Sequence, residues 1–134
     1  MIVVDTNVIA YFYLPSLHSS QAELAQRKDA QWVAPHLWRS EFRNILALYI
    51  RQQLITLDKA LDILQEAELL MDGNEYEISS SQIIRLAAAS HCTAYDCEFI
   101  ALAQNLAIPL ITTDKKLLRA FPTTALALDQ FVAT

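Results

Sequence analysis

Ile2-Val3-Val4 is a β-branched run, apolar at every position, and it stops at a carboxylate, Asp5. The arrangement returns near the other end of the chain, where Pro109-Leu110-Ile111-Thr112 leads to Asp114. A strand that is apolar on successive residues has no face to give to water. It must be covered on both sides, as strands are in the parallel sheets of α/β proteins. Proline is allowed at the first residue of such a strand, where no ladder donor is needed. Trp32-Val33-Ala34, ahead of Pro35, reads as another short strand. Tyr76-Glu77-Ile78 and Ala125-Leu126-Ala127-Leu128 read as brief extended pieces.

Helical signals lie between them. Ser19 or Ser20 caps a helix over residues 20–28, with Glu23 as capping-box partner if Ser20 is the cap. Phe42, Ile45, Leu46, Tyr49 and Ile50 recur at helical spacing from Leu37 to Gln53. Ala60, Leu61, Leu64 and Leu69 do the same from Asp58 to Met71, and Gly73 supplies a stop. Serines 79–81 cap a helix reaching about Ser90, and Thr93 caps one carrying Phe99, Ile100, Leu102, Ala103 and Leu106. Asp114 begins a short helix to Phe121. Strands alternating with helices imply right-handed crossovers, and hence an α/β three-layer sandwich with a central, mostly parallel sheet. With one Gly and four Pro there is no flexible linker, and 134 residues suit one domain, 1–134. Ligands of such sheets bind beyond the carboxyl ends of the strands, so Asp5 and Asp114 stand on the functional edge.

The composition excludes some functions and leaves others open. No apolar run reaches the roughly 18 residues of a membrane span. Met1 leads into the first strand without the basic segment of a signal peptide, so a cytoplasmic protein is expected. Cys92 and Cys97 lack C-x-x-C spacing and are expected as buried thiols rather than a disulfide. His18, His36 and His91 match no metal-ligand spacing. A net charge of -5 is the wrong sign for a nucleic-acid binder. Seven of the acids, however, fall between Asp58 and Glu77 with Lys59 the one base among them, and the rest of the chain holds nine bases and eight acids. Nucleic acid is therefore not excluded, and the 58–77 segment is expected to face away from it.

An acid placed directly after a buried strand is expensive to desolvate unless a cation compensates. Each acid also has a plainer explanation. Asp5 could cap a helix beginning near Asn7, Asp114 could cap Lys115–Phe121, and Asp96 gains from the dipole of its own helix. Glu41 could be an ordinary solvated helix residue. The single Gly rules out a Gly-rich phosphate loop, and no Ser/His/Asp or Cys/His set is present.

The segments Val3-Val4-Asp5-Thr6-Asn7-Val8-Ile9, Trp38-Arg39-Ser40-Glu41 with Asn44 following, Tyr95-Asp96-Cys97-Glu98-Phe99-Ile100-Ala101-Leu102-Ala103, and Leu110-Ile111-Thr112-Thr113-Asp114 together resemble the PIN domain family, in particular VapC-type toxins. They occur in the family's order and cover essentially the whole chain. The third segment is the most specific, and it departs from the family at Cys97, where Ala is commoner. The resemblance implies a metal-dependent endoribonuclease using Mg2+ or Mn2+, with Asp5, Glu41 and Asp96 as ligands and Asp114 as a further ligand or a water-mediated partner. Magnesium takes oxygen ligands and keeps several waters, which suits such a set. Thr6, Asn7 and Thr112 would hold the carboxylates in place. Arg39, Arg43, Lys115, Lys116 and Arg119 are candidates for contact with RNA phosphates. The resemblance further implies a small antitoxin partner and a homodimer. The alternatives are a housekeeping PIN nuclease without antitoxin and a non-catalytic α/β binding module. A haloacid-dehalogenase-like phosphotransferase with Asp5 as acceptor fits less well, because Asn7 occupies its second acidic position and no partner lysine is apparent.

Overall fold

The computed structural model describes residues 1–134. Thirteen elements follow one another along the chain. They are β1 (Ile2–Val4), α1 (Thr6–Tyr13), α2 (Ser19–Lys28), β2 (Trp32–Pro35), α3 (Leu37–Arg51), α4 (Leu57–Met71), β3 (Glu75–Tyr76), α5 (Ser80–Ser90), α6 (Ala94–Leu106), β4 (Leu110–Thr112), α7 (Lys115–Ala120), β5 (Ala125–Ala127) and α8 (Leu128–Ala133). The strands form one five-stranded sheet in the order β3-β2-β1-β4-β5, and every pair is parallel.

The all-apolar β1 is the central strand. Val3 pairs with Val33 of β2 on one side and with Leu110 of β4 on the other, and all three β1 residues are buried. The chain builds outward from β1 through β2 to β3, then returns across the sheet to add β4 and β5 on the opposite flank. Right-handed crossovers running in opposite directions place their helices on opposite faces. On the return path α6 packs across β2, β1 and β4, with α5 laid over it. On the outward path α1 packs on α2 and α3, and α8 closes that layer against α2. The strand order reverses between β1 and β4, where α/β sheets open a crevice for ligands.

The helices are where their apolar spacing puts them. In α3 the side chains of Trp38, Phe42 and Leu46, four residues apart, are buried in the core. Thr56 caps α4 by accepting the Lys59 amide N–H at 3.1 Å, and Gly73 takes the left-handed φ of +77° that ends the α4 segment. Thr93 caps α6, accepting the Asp96 N–H at 3.0 Å. Cys92 and Cys97 are buried free thiols, as expected.

Several boundaries differ from the sequence expectation. Helix α2 starts at Ser19 with His18 in the cap position, and no capping box with Glu23 forms. Ser19 is instead occupied by the preceding turn, donating to the Leu14 carbonyl at 3.0 Å and accepting from the Ser16 N–H at 2.9 Å. Strand β3 is Glu75–Tyr76, one residue earlier than the expected extended piece. Leu128 opens α8 rather than ending a strand. That helix has six residues, too few to show a period. It is fixed by tertiary contacts: Leu128 and Phe131 are buried, and the Lys28 ammonium donates to the Phe131 carbonyl at 2.6 Å.

Phe42, the residue after Glu41 in α3, is fully buried and packs against the rings of Trp38 and Tyr13. Phe42→Ala should cost about 3–5 kcal/mol of unfolding free energy. Urea titration of the metal-free protein checks this, and a loss under about 1 kcal/mol would mean that α3 is not anchored there.

Candidate active site

At the end of β1 the chain turns into α1, and Asp5 stands at the junction with its N–H donating to the Ile111 carbonyl of β4 at 3.0 Å. Its carboxylate makes no capping bond to α1. Instead Oδ2 accepts from the Thr112 hydroxyl at 2.7 Å, and Thr112 is wholly buried. The same hydroxyl oxygen accepts the Asp114 N–H at 3.0 Å, so one side chain ties the ends of β1 and β4 together. The next residue after Asp5 repeats the device. Thr6, 3% exposed, donates its hydroxyl to Glu41 Oε1 of α3 at 2.7 Å. Two threonines thus each orient one carboxylate.

Asp96 comes from the first turn of α6 and Asp114 from the start of α7. All four predicted acids line one cavity of about 240 Å³, together with Thr6, Asn7, Asn44 and Ile45. Asp114 does double duty, because its Oδ1 also caps α7, accepting from the Lys116 and Leu117 amides at 2.8 and 3.4 Å. Asn7 is exposed in the cavity and makes no hydrogen bond to a carboxylate, so of the three expected positioning residues two are bonded in place. Asn44 was not singled out from the sequence as a site residue. The available signal was its spacing, three residues after Glu41 on the same helix face.

The electrostatics of the cavity are those of uncompensated acids. Asp5 is pushed up to about 6, first by burial, then by the charges of Asp96 and Asp114, against the opposing Thr112 hydrogen bond and the nearby polar Thr6 backbone. Glu41 is raised by burial and by Asp5, Asp96 and Glu98, with the Thr6 bond opposing. Asp96 is raised by burial and by Asp114, with the Thr93 bond and Lys116 opposing. Burial and mutual repulsion both favour the neutral acid. A cation would relieve both. In this conformation no three acids converge closely enough to ligate a single ion directly. The donor set still fits magnesium or manganese, whose hydrated ions bind through one or two carboxylates and reach the others through retained water.

The expected basic residues divide. Arg39 is not free for phosphate. Its Nε and one terminal nitrogen bond both oxygens of Glu75 at 2.5 and 2.9 Å, the other terminal nitrogen pairs with Glu68, and Trp38 Nε1 also donates to Glu75 at 2.7 Å. The acid-rich 58–77 segment packs against the start of α3 and neutralises this guanidinium. Arg43 folds back along α3 to the Arg39 carbonyl at 3.1 Å and Ser40 Oγ at 3.3 Å. Lys115, Lys116 and Arg119 remain exposed on α7, with Lys116 close enough for its charge to act on Asp96.

Comparison with known proteins agrees with this architecture. The PIN domain family matches residues 2–121. The ribonuclease VapC3 of Pyrobaculum aerophilum is 32% identical over 134 aligned positions, covering 90% of this chain and 95% of its own. The crystal structure of PAE2754 from the same organism superposes with a TM-score of 0.78 at 17% identity, over 98% of this chain and 86% of that one. The crystal structure of FitAcB from Neisseria gonorrhoeae gives 0.72 at 17%, over 96% and 98%. This chain belongs to the PIN domain family. Its sheet of five parallel strands between helices is the α/β sandwich expected from the sequence.

The raised Asp5 makes a prediction about pH in the absence of metal. Between about pH 4 and pH 6 the native protein holds a proton on Asp5 that the unfolded chain has released. Stability therefore falls as pH rises through that window, because the unfolded state binds fewer protons. At about 1.4 kcal/mol per pH unit the penalty at pH 7 is on the order of 2–3 kcal/mol. With a chelator present, Asp5→Asn should match the wild type near pH 4 and exceed it at pH 7. Melting curves showing the same pH dependence for both proteins would contradict the assignment.

Proposed function

We propose that this chain, residues 1–134 as one nuclease domain, is a Mg2+- or Mn2+-dependent endoribonuclease and the toxin half of a toxin–antitoxin pair. The observation that carries the proposal is the cavity holding Asp5, Glu41, Asp96 and Asp114 at the sheet's switch point, with two of the four held by threonine hydroxyls. The ribonuclease name of the VapC3 relative supports RNA as substrate. No helix is long and apolar enough to cross a membrane, and we place the protein in the cytoplasm with its RNA.

Asp5, Glu41 and Asp96 would hold the metal, and Asp114 would act directly or through water. A metal bound there lowers the pKa of a water and offsets charge on the scissile phosphate. The protein's share is to fix the carboxylates. Thr112 and Thr6 each use their one hydroxyl proton on a carboxylate, which stops that group from turning away. The α7 lysines, Lys115 and Lys116, lie where the RNA backbone would approach, and they offset the repulsion that four acids present to phosphate. Asn44 can donate and accept within the cavity.

Exposed leucines support the partners. Leu48, Leu54, Leu57, Leu61 and Leu69 are all at least 46% exposed along α3, α4 and their connection. An apolar surface of this kind suits a small antitoxin or a second copy of the chain. Sedimentation should give a homodimer of twice 15.1 kDa, and a monomer at micromolar concentration would contradict it.

Asp5→Asn and Asp96→Asn should each lower manganese-dependent cleavage of RNA by at least about 100-fold while the circular dichroism spectrum is kept. In the alternative of a binding module that uses its acids as caps, neither change matters, since Asn caps a helix as well as Asp. Undiminished cleavage by either pure variant would remove that residue from the site.

A further inference from the structure

Beside the acidic cavity lies a larger one of about 530 Å³ that the four acids do not enter. The two share a wall. Along the join of β4 and α7, Thr112, Thr113 and Lys115 line the larger cavity while Asp114 lines the acidic one. Only the larger falls within the roughly 300–1,000 Å³ of small-molecule sites, so it has room for a nucleobase and its sugar where the acidic cavity has room for a hydrated ion and a phosphate.

Its lining is chemically mixed. His18, Gln21 and Leu17 come from the start of α2, Leu118 and Lys115 from α7, and Asp129 from α8. The His18 ring packs on Tyr11 at 4.7 Å between centroids, and the Tyr11 hydroxyl is held by Thr113 Oγ1 at 3.1 Å. The imidazole is therefore a backed, fixed plate rather than a loose side chain. The side chains of His18, Gln21 and Lys115 have no hydrogen-bond partner within the protein, and the chain's three ion pairs use other cations. Asp129 Oδ1 accepts the Gln130 N–H at 2.8 Å, which leaves its second oxygen free.

We propose that this cavity is a base-selecting subsite, holding the base of an unpaired ribonucleotide adjacent to the phosphate that is cut. The proposal rests on the nuclease function above. The base lies against the His18 ring, Gln21 bonds its edge, and Lys115 takes the adjoining phosphate. Stacking on an aromatic plate and edge bonding are the means by which proteins read single-stranded RNA. Asp129 carries only acceptors, so it favours the exocyclic amines of cytosine, adenine and guanine over uracil, whose one edge donor, N3–H, sits between two carbonyl oxygens that repel a carboxylate.

The test measures binding without cleavage. Fluorescence anisotropy in chelator follows short oligocytidine, oligoadenosine and oligouridine on the wild type, Gln21→Leu and Asp129→Ala, each checked by circular dichroism. The wild type should bind oligocytidine and oligoadenosine more tightly than oligouridine. Gln21→Leu should weaken binding of all three about three- to tenfold, the worth of one hydrogen bond. Asp129→Ala should bring the three affinities together by weakening only the first two. Absence of RNA binding, absence of base preference, or variants that bind like the wild type would overturn the subsite. Cleavage in manganese is scored separately on the same oligonucleotides. If RNA is cut while the variants bind normally, the subsite fails and the nuclease function stands. If the binding effects appear but nothing is cut, the cavity is a base-binding site, its place beside a cut phosphate is overturned and the nuclease function fails.

Discussion

A single hydroxyl holds the ends of two strands together. Thr112 donates to Asp5 and accepts from the Asp114 amide, joining residues 107 positions apart in the chain. Because Thr112 is buried at the last position of β4, it can do so only if β1 and β4 are neighbours in parallel register. The fold meets that condition by returning across the sheet after β3. The consequence is a carboxylate that cannot leave a buried position where charge is costly, beside two others from α6 and α7. Repulsion is thus built into the protein by its own core packing. That is a poor arrangement for stability alone and a suitable one for a cation.

The geometry separates acids that the sequence left equivalent. Asp5 and Asp114 both follow strands, and a helix cap explains either one from sequence. In the structure Asp114 does cap α7, whereas Asp5 ignores α1 and bonds Thr112. Burial also pushes the Asp5 carboxyl up to about 6. Glu41, which by itself looks like a solvated helix residue, is half-buried and held by Thr6. Asn7, exposed and without a bond to the carboxylates, gives no support to a phosphotransfer site that needs a second acid there.

The sheet was legible because it depends on local patterns, apolar runs with a terminal acid, whereas Glu41 and Asp96 joined the acid set only through the family resemblance, since each alone reads as an ordinary helix residue. What the sequence hid depends on contacts between distant segments. Nothing near Arg39 reveals that Glu68 and Glu75 will claim its guanidinium, since their approach follows from α4 packing beside α3 and β3 pairing with β2. Helix α8 is held by Lys28 and two buried side chains rather than by any period of its own. The larger cavity brings the start of α2 against α7 and α8, more than 90 positions further along the chain, and no local pattern could have announced it.

The central claim is that burial, with the crowding of neighbouring acids, leaves the metal-free site partly protonated and that a cation takes the proton's place. A proton-release measurement tests it most directly. Manganese is titrated calorimetrically at pH 6 and at pH 8, in buffers of different ionisation enthalpy. With Asp5 raised to about 6, binding should release a substantial fraction of a proton at pH 6 and almost none at pH 8, because a ligand must lose its proton to bind. Asp5→Asn should bind more weakly and lose most of that release. Manganese binding at pH 6 without proton release, or no binding by the wild type at all, would contradict the account.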